Sequence, residues 1–231
     1  MGISEIQKVM ANNLKINKML KFCPYEILKH WQFCEYKKGE ILLKQGEIPE
    51  RFYIIIEGYV DIYALAENGK KYTQALYTKG NYIGELEIFD KKPAACYAEA
   101  VSPIVLISLA RDYFLKWIEL DIHISNYFAK SMASLFYNLS IKAMNDNLYS
   151  LKYRLIKYLL ESNQKPGDHP KEIEISINKD KISEQLAVTK RSINRVFREL
   201  RDRGIIDINN KGIIIKDMEG LLKEQELSKN Q

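Results

Sequence analysis

Apolar and polar positions change rhythm several times along this chain. Over residues 1–30 the apolar residues fall at helical spacing, through Ile6, Val9, Met10, Asn13 and Leu14, so a covering helix is expected. Pro24 then opens a short turn carrying Ile27, Leu28 and Trp31. From Phe33 to Leu109 the pattern shifts to short β-rich runs: Ile41–Leu43, Phe52–Ile56, Tyr59–Leu65, Tyr72–Tyr77 and Val105–Leu109. Glycines at 39, 46, 58, 69, 80 and 84 punctuate them, at turns that favour positive φ. Asn68-Gly69 reads as a two-residue hairpin, and the whole segment as a small β-barrel or β-roll. Arg111 to Asn147 contains neither Gly nor Pro and predicts one long helix. Its apolar seam, Ile124, Phe128, Met132, Leu135, Leu139 and Ala143, suits packing on its own domain or on a second copy, and a homodimer is the expectation. Asn145, Asp146 and Asn147 read as a hinge, Leu148–Ser162 as an amphipathic helix, residues 163–170 as a loop, and Glu172–Ile177 as a short strand.

The sharpest pattern follows, from Lys179 to Gly204. Ile182 and Leu186 give a first short helix one apolar face, and Ala187 and Val188 interrupt it. Thr189 stands at an N-cap position, where a hydroxyl accepts from free backbone N–H groups. Ile193, Val196, Phe197 and Leu200 then recur at i, i+3, i+4 and i+7, a single buried stripe. The opposite face carries Lys190, Arg191, Asn194, Arg195, Arg198 and Arg201, and Gly204 closes the helix. Ile205–Ile208 and Ile213–Lys216, separated by Asn209, Asn210, Lys211 and Gly212, add a β-hairpin, so the order is that of a winged helix-turn-helix.

Charge sharpens this picture. Between Lys179 and Lys216 there are ten Lys or Arg against five Asp or Glu, an excess as large as the +5 of the whole 231-residue chain. A localised positive excess is the footprint of a nucleic-acid binder. Arg pairs with guanine, Asn with adenine, and residues near the start of the second helix reach base edges. The candidate DNA contacts are therefore Thr189, Lys190, Arg191, Ser192, Asn194, Arg195, Arg198 and, at the wing tip, Lys211. No apolar run is long enough for a membrane span, no signal peptide is evident, and Ile6 stands where myristoylation at Gly2 would want Ser or Thr. Cys23, Cys34 and Cys96 are odd in number and far apart, which predicts free thiols and a cytoplasmic setting.

Four motifs give these elements a family likeness: Lys44-Gln45-Gly46-Glu47, the run from Tyr53 to Gly58, Glu67-Asn68-Gly69-Lys70, and Gly80-Asn81-Tyr82-Ile83-Gly84-Glu85-Leu86. With the helix-turn-helix from Ile177 to Arg195, the chain resembles the bacterial Crp/Fnr superfamily of transcription factors over roughly Lys21 to Lys216. The resemblance implies an α+β chain in three parts: helices and a β-roll sensor over 1–110, a dimerisation helix over 111–147, and a winged helix-turn-helix over 148–231. It implies a homodimeric, sequence-specific regulator of transcription, whose partners are double-stranded DNA, an unidentified small-molecule effector and RNA polymerase. It also implies an effector site at Gly84, Glu85 and Leu86, at the following loop, and on the dimer helix. Here the loop's Arg-Ser pair is replaced by Ala94-Ala95, with one residue fewer, and the purine-contacting Thr-Ser pair by Leu139-Ser140. Losing the guanidinium removes the strongest bonds to a cyclic phosphate, so cyclic AMP is not the expected ligand. Glu85 then reads as a turn residue whose carboxylate accepts backbone N–H groups.

Other cofactors find little support. An iron–sulfur cluster wants four thiolates; three are present, with His30 available between Cys23 and Cys34 to complete a set, but buried free cysteine is the simpler expectation. Haem would have only His123 or Cys96 to use, and His30, His123 and His169 read as ordinary surface or packing residues. No metal-ligand spacing, phosphate-binding loop or nucleophile–base set argues for an enzyme. The competing expectation is a protein-binding or nucleotide-binding sensor with a vestigial DNA-binding domain. Ala187 departs from the Gly common in such turns; a left-handed backbone there would cost on the order of 1 kcal/mol.

Overall fold

The computed structural model describes residues 3–162, 173–209 and 212–230. The predicted loop over 163–170 with His169, and Asn210 and Lys211 at the wing tip, lie outside the described residues. The chain divides into two compact units, Met1–Leu135 and Phe136–Gln231.

The first unit begins with α1 (Ile3–Ala11), α2 (Leu14–Leu20) and α3 (Tyr25–Leu28). The expected single N-terminal stripe is broken at Asn13. Its side-chain oxygen accepts from the N–H groups of Lys15 and Ile16 at 2.8 and 3.1 Å, so it starts a new helix and leaves Leu14 exposed. Eight strands follow: β1 (Gln32–Tyr36), β2 (Ile41–Leu43), β3 (Arg51–Glu57), β4 (Tyr59–Leu65), β5 (Lys71–Thr78), β6 (Tyr82–Ile83), β7 (Tyr97–Ala100) and β8 (Ile104–Ala110). They form two antiparallel sheets, ordered β1-β8-β3-β6 and β2-β7-β4-β5. One core, with Tyr53, Ile55, Val60, Ile62, Ala98, Ala100 and Leu106, holds residues of both sheets. Phe52, Ile54, Ile56, Ile107 and Leu109 point the other way and pack with the helices around Trp31, Phe114 and Trp117. Strand β3 is thus buried on both faces, which explains its unbroken apolar run.

All six glycines of the roll have positive φ, as expected. At Gly84 and Gly58 the requirement is also steric: a Cβ would lie 2.7 Å from the Arg51 carbonyl oxygen and 2.3 Å from that of Pro103. The expected two-residue hairpin at Asn68-Gly69 is longer. Ala66 and Lys70 close it, with the Gly69 N–H donating to the Ala66 carbonyl, so Gly69 takes the left-handed place after the turn.

The long helix predicted over 111–147 is two helices, α4 (Arg111–Leu120) and α5 (Ile122–Leu148). Asp121 breaks it. Its backbone is extended, and its buried carboxylate accepts from the N–H of His123 at 2.9 Å and the indole N–H of Trp117 at 3.2 Å. The predicted seam also divides: Ile124 and Phe128 are buried in the core of their own unit. The hinge expected at Asn145–Asn147 is helical, because Asp146 is held by Lys142 at 3.1 Å and Arg154 at 2.8 Å, and Asn147 bonds back to the Ala143 carbonyl. The break falls instead at Tyr149 and Ser150.

The second unit continues through α6 (Leu151–Ser162), β9 (Ile173–Ile175), α7 (Lys179–Leu186), α8 (Lys190–Asp202), β10 (Ile206–Ile208), β11 (Ile213–Ile215) and α9 (Met218–Leu227). Strands β10, β11 and β9 make an antiparallel sheet, with β11 in the middle. Its core joins Leu155, Ile156 and Leu159 of α6 to Ile182, Ile193, Val196, Phe197, Leu200 and Leu221.

Candidate nucleic-acid interface

Three local devices place α8. Ala187 is left-handed, at φ 52 and ψ 40, and the Val188 N–H returns to the Ser183 carbonyl, so α7 ends abruptly. Thr189 caps α8 by accepting from the Ser192 N–H at 3.1 Å. Gly204, at φ +73, ends it: the Gly204 N–H donates to the Arg201 carbonyl and the Ile205 N–H to that of Leu200. An ion network then ties α8 to its neighbours. Lys152 of α6 bonds Glu199 at 2.7 Å and also Glu224, while Arg203 contacts Glu224 and Glu199. Burial pushes the Glu224 carboxyl up, but Lys152 and Arg203 outweigh it and hold it below the usual range.

With the apolar stripe buried, the other face of α8 is fully presented. Lys190, Arg191, Asn194, Arg195 and Arg198 are exposed and Ser192 is half-buried. Arg191, Ser192, Asn194, Arg195 and Arg198 line one hollow of about 680 Å³. The charges there are not equivalent. Lys190 is paired with Asp180 of α7, and the Asn194 side-chain oxygen accepts from the Lys179 ammonium at 2.8 Å. Arg191, Arg195 and Arg198 have no carboxylate partner among the described residues. Sequence reasoning did not assign Lys179 or Asp180 a part; both stand in the first turn of α7, and nothing in their spacing shows that they reach across to α8. Lys211 lies outside the described residues. Its hairpin is closed below it by Asn209, whose side chain accepts from the Gly212 N–H at 2.8 Å.

The expected effector residues belong to both units. Gly84 and Glu85 are buried, Leu86 is half exposed, Ala94 is buried and Ala95 is exposed. Leu139 and Ser140 lie on α5 in the second unit, where the Ser140 hydroxyl donates to the Phe136 carbonyl. Burial pushes the Glu85 carboxyl up to about 8; its own backbone N–H works against this, and nearby Glu87 adds to it. Glu87 was missed in the sequence. It is buried, and its carboxylate accepts from the Ala95 N–H at 3.1 Å, while the Ala94 N–H donates to the Glu47 carbonyl at 2.8 Å. Both loop amides are therefore taken by acceptors of the chain itself.

Cys23, Cys34 and Cys96 are free, and burial pushes the Cys23 thiol up to about 12. Among the described residues no three His, Cys, Asp or Glu side chains gather in a metal-binding group, and no helix is long and apolar enough to cross a membrane. His123 stacks on Phe22, and His30 on Tyr113.

Two family models match in tandem: the cyclic nucleotide-binding domain over residues 33–121 and the Crp-like helix-turn-helix domain over residues 153–224. The chain is a Crp/Fnr-type transcriptional regulator. A similar protein is the CRP-like cAMP-activated global transcriptional regulator of Mycobacterium tuberculosis, 25% identical over 205 residues, covering 85% of this chain and 89% of that one. Among solved structures, a CRP/FNR-family regulator from Thermus thermophilus aligns with a TM-score of 0.55 at 22% identity, covering 84% of this regulator and 98% of that chain. A CooA variant from Carboxydothermus hydrogenoformans aligns with a TM-score of 0.64 at 19% identity, covering 88% and 90%. At these identities the likeness to solved structures speaks for the fold.

The raised pKa of Glu85 has a testable sign. Its folded value lies above the unfolded one, so the stability linked to its proton is full below about pH 4.5 and is lost as pH rises towards 8. Glu85→Gln should raise the melting temperature relative to the parent above pH 8 and give no gain near pH 4, read by thermal unfolding across that range.

Proposed function

We propose that this regulator works in the cytoplasm as a homodimer whose two α8 helices read paired half-sites on double-stranded DNA, with RNA polymerase as the machinery it addresses. The reading rests on one observation above all: three guanidiniums, Arg191, Arg195 and Arg198, face the same hollow with no carboxylate among the described residues to neutralise them. Ion pairing elsewhere in the unit is extensive, so leaving these bare sustains a local positive field that phosphates and guanine edges relieve. Thr189, Lys190 and Ser192 stand at the helix start, beside the backbone of a docked duplex, and Lys211 extends the same role to the wing. The protein acts by binding, and no step of chemistry is assigned to it.

The dimer face follows from what α5 leaves exposed. Ala129, Ala133, Phe136, Ser140 and Ala143 recur at spacings of four and three, flanked by exposed Tyr137, Leu139 and Met144. Four small residues and one Phe along this stripe leave room for close packing of two helices. Phe136→Asp should give a monomer in sedimentation at micromolar concentration; a persisting dimer would place the interface elsewhere.

The roll senses a small molecule other than cyclic AMP. The Mycobacterium tuberculosis relative carries cAMP activation in its name. In this chain the loop amides are already bonded, the guanidinium position is Ala94, and the Glu87 carboxylate at the loop would meet a phosphate with like charge. Calorimetric titration with cyclic AMP should show no binding up to millimolar concentration, and micromolar binding would refute this.

DNA reading itself is tested by selecting duplexes from a random pool. The wild-type protein should enrich a two-fold symmetric site. Arg191→Ala and Arg195→Ala should each lose discrimination of about 1–3 kcal/mol at one base position per half-site. Equal weakening on every sequence would show that the two arginines contact phosphates only.

A further inference from the structure

The hydrogen bond between Lys179 and Asn194 carries information about which base the helix reads. An ammonium has donors only, so the atom of Asn194 that it meets at 2.8 Å is the carbonyl oxygen Oδ1. This fixes the amide's orientation, with Nδ2 and its two hydrogens turned away from Lys179. An unconstrained Asn on a recognition helix pairs with adenine, donating to N7 and accepting from the N6 amino group. Here the accepting atom already serves a positive charge. An adenine amino group brought to Oδ1 would place its own partly positive hydrogens beside the ammonium. Guanine presents N7 and O6, two acceptors and no donor, along the same edge. The Nδ2 hydrogens and the remaining Lys179 hydrogens are donors that match it.

Resting on the DNA-reading role above, the structure assigns Lys179 as a specificity-determining residue that turns Asn194 from an adenine reader into a guanine reader. Lys179 stands at the first position of α7, across the turn from α8, and is half-buried, so its reach is limited. Its neighbour Asp180 occupies Lys190, the other ammonium near the start of α8, and leaves the Lys179–Asn194 pair separate from it. Arg191 and Arg195 flank Asn194 in the same hollow and add further donors, which also favours an acceptor-only edge.

The test is duplex selection with full-length wild type, Lys179→Met, Lys179→Arg and Asn194→Ala, followed by affinities for the selected site and its single-base variants at one fixed salt concentration. Circular dichroism confirms that each variant is folded. Asn194→Ala identifies the base position, because choice is lost there and kept elsewhere. The wild type should take guanine at that position. Lys179→Met should shift the guanine-to-adenine ratio at least tenfold towards adenine, and Lys179→Arg, which keeps a donor on Oδ1, should retain guanine. If Lys179→Met weakens all sequences equally, with a shallower salt dependence and the same base choice, Lys179 is a phosphate contact and the assignment is wrong. A wild-type preference for adenine at the Asn194 position also overturns it. If the wild type itself distinguishes no duplex from random DNA, the DNA-reading role fails and takes this assignment with it.

Discussion

Burial of one stripe on α8 decides what the rest of the second unit can do. Ile193, Val196, Phe197 and Leu200 are almost wholly removed from water. Each such side chain contributes about 1.5–3 kcal/mol on burial. Turning the helix by one residue would replace part of that stripe with guanidinium or amide and lose most of the gain. The face that carries Arg191, Asn194, Arg195 and Arg198 is therefore fixed by hydrophobic packing, with no contribution of its own. Lys152, Glu199, Arg203 and Glu224 add direction to this. Their network joins α6, α8 and α9, so the helix is held at its far end as well as along its side.

The turn that precedes α8 is held under strain. Ala187 occupies a left-handed conformation, where a Cβ costs about 1–2 kcal/mol relative to the right-handed one. The surrounding bonds over-determine it. The Ser183 hydroxyl donates to the Val188 carbonyl at 2.5 Å, the Val188 N–H returns to Ser183, and Thr189 captures the Ser192 amide in the first turn of the next helix. Each bond depends on the reversal at Ala187, so the angle between the two helices survives the loss of glycine. That angle also brings Lys179 and Asp180 within reach of Asn194 and Lys190.

Much of this was legible in the residues. A stripe at i, i+3, i+4, i+7 admits only a helix, and six glycines among β-rich runs admit only a turn-rich β structure. What failed to show were places where one side chain overrules a pattern. Asn13 and Asp121 look like ordinary helix residues, and each stops a helix because its side chain bonds the next turn's amides. Strand β7 was missed because its inward residues, Ala98 and Ala100, are small, so it carries almost no hydrophobic signal. The seam left two packings open because Ile124 and Phe128, which its spacing also offers to a second copy, are consumed by their own core. Glu87 and Lys179 lay further out of reach. Their partners, Ala95 and Asn194, are defined only once the chain has turned back on itself.

The same limit bears on what the sensor motif says when it is read alone. Gly84 is required by the backbone, since the Arg51 carbonyl leaves no room for a Cβ, and this holds whatever the roll binds. Retention of Gly-Glu-Leu therefore speaks for the fold of the roll more than for its chemistry. The chemistry lies in the charges around it. Two carboxylates sit buried there, one bonded to a loop amide, and the other is pushed up to about 8 because burial disfavours its charge and Glu87 adds to it. An anion entering that place would face the Glu87 carboxylate and disfavour ionisation of Glu85 further. A neutral ligand with donors, meeting Glu85 as an acceptor, would lower the cost of burying it. The roll combines the frame of a cyclic nucleotide-binding domain with two buried acidic side chains, and the proposal that its effector is not cyclic AMP rests on that lining and on Ala94.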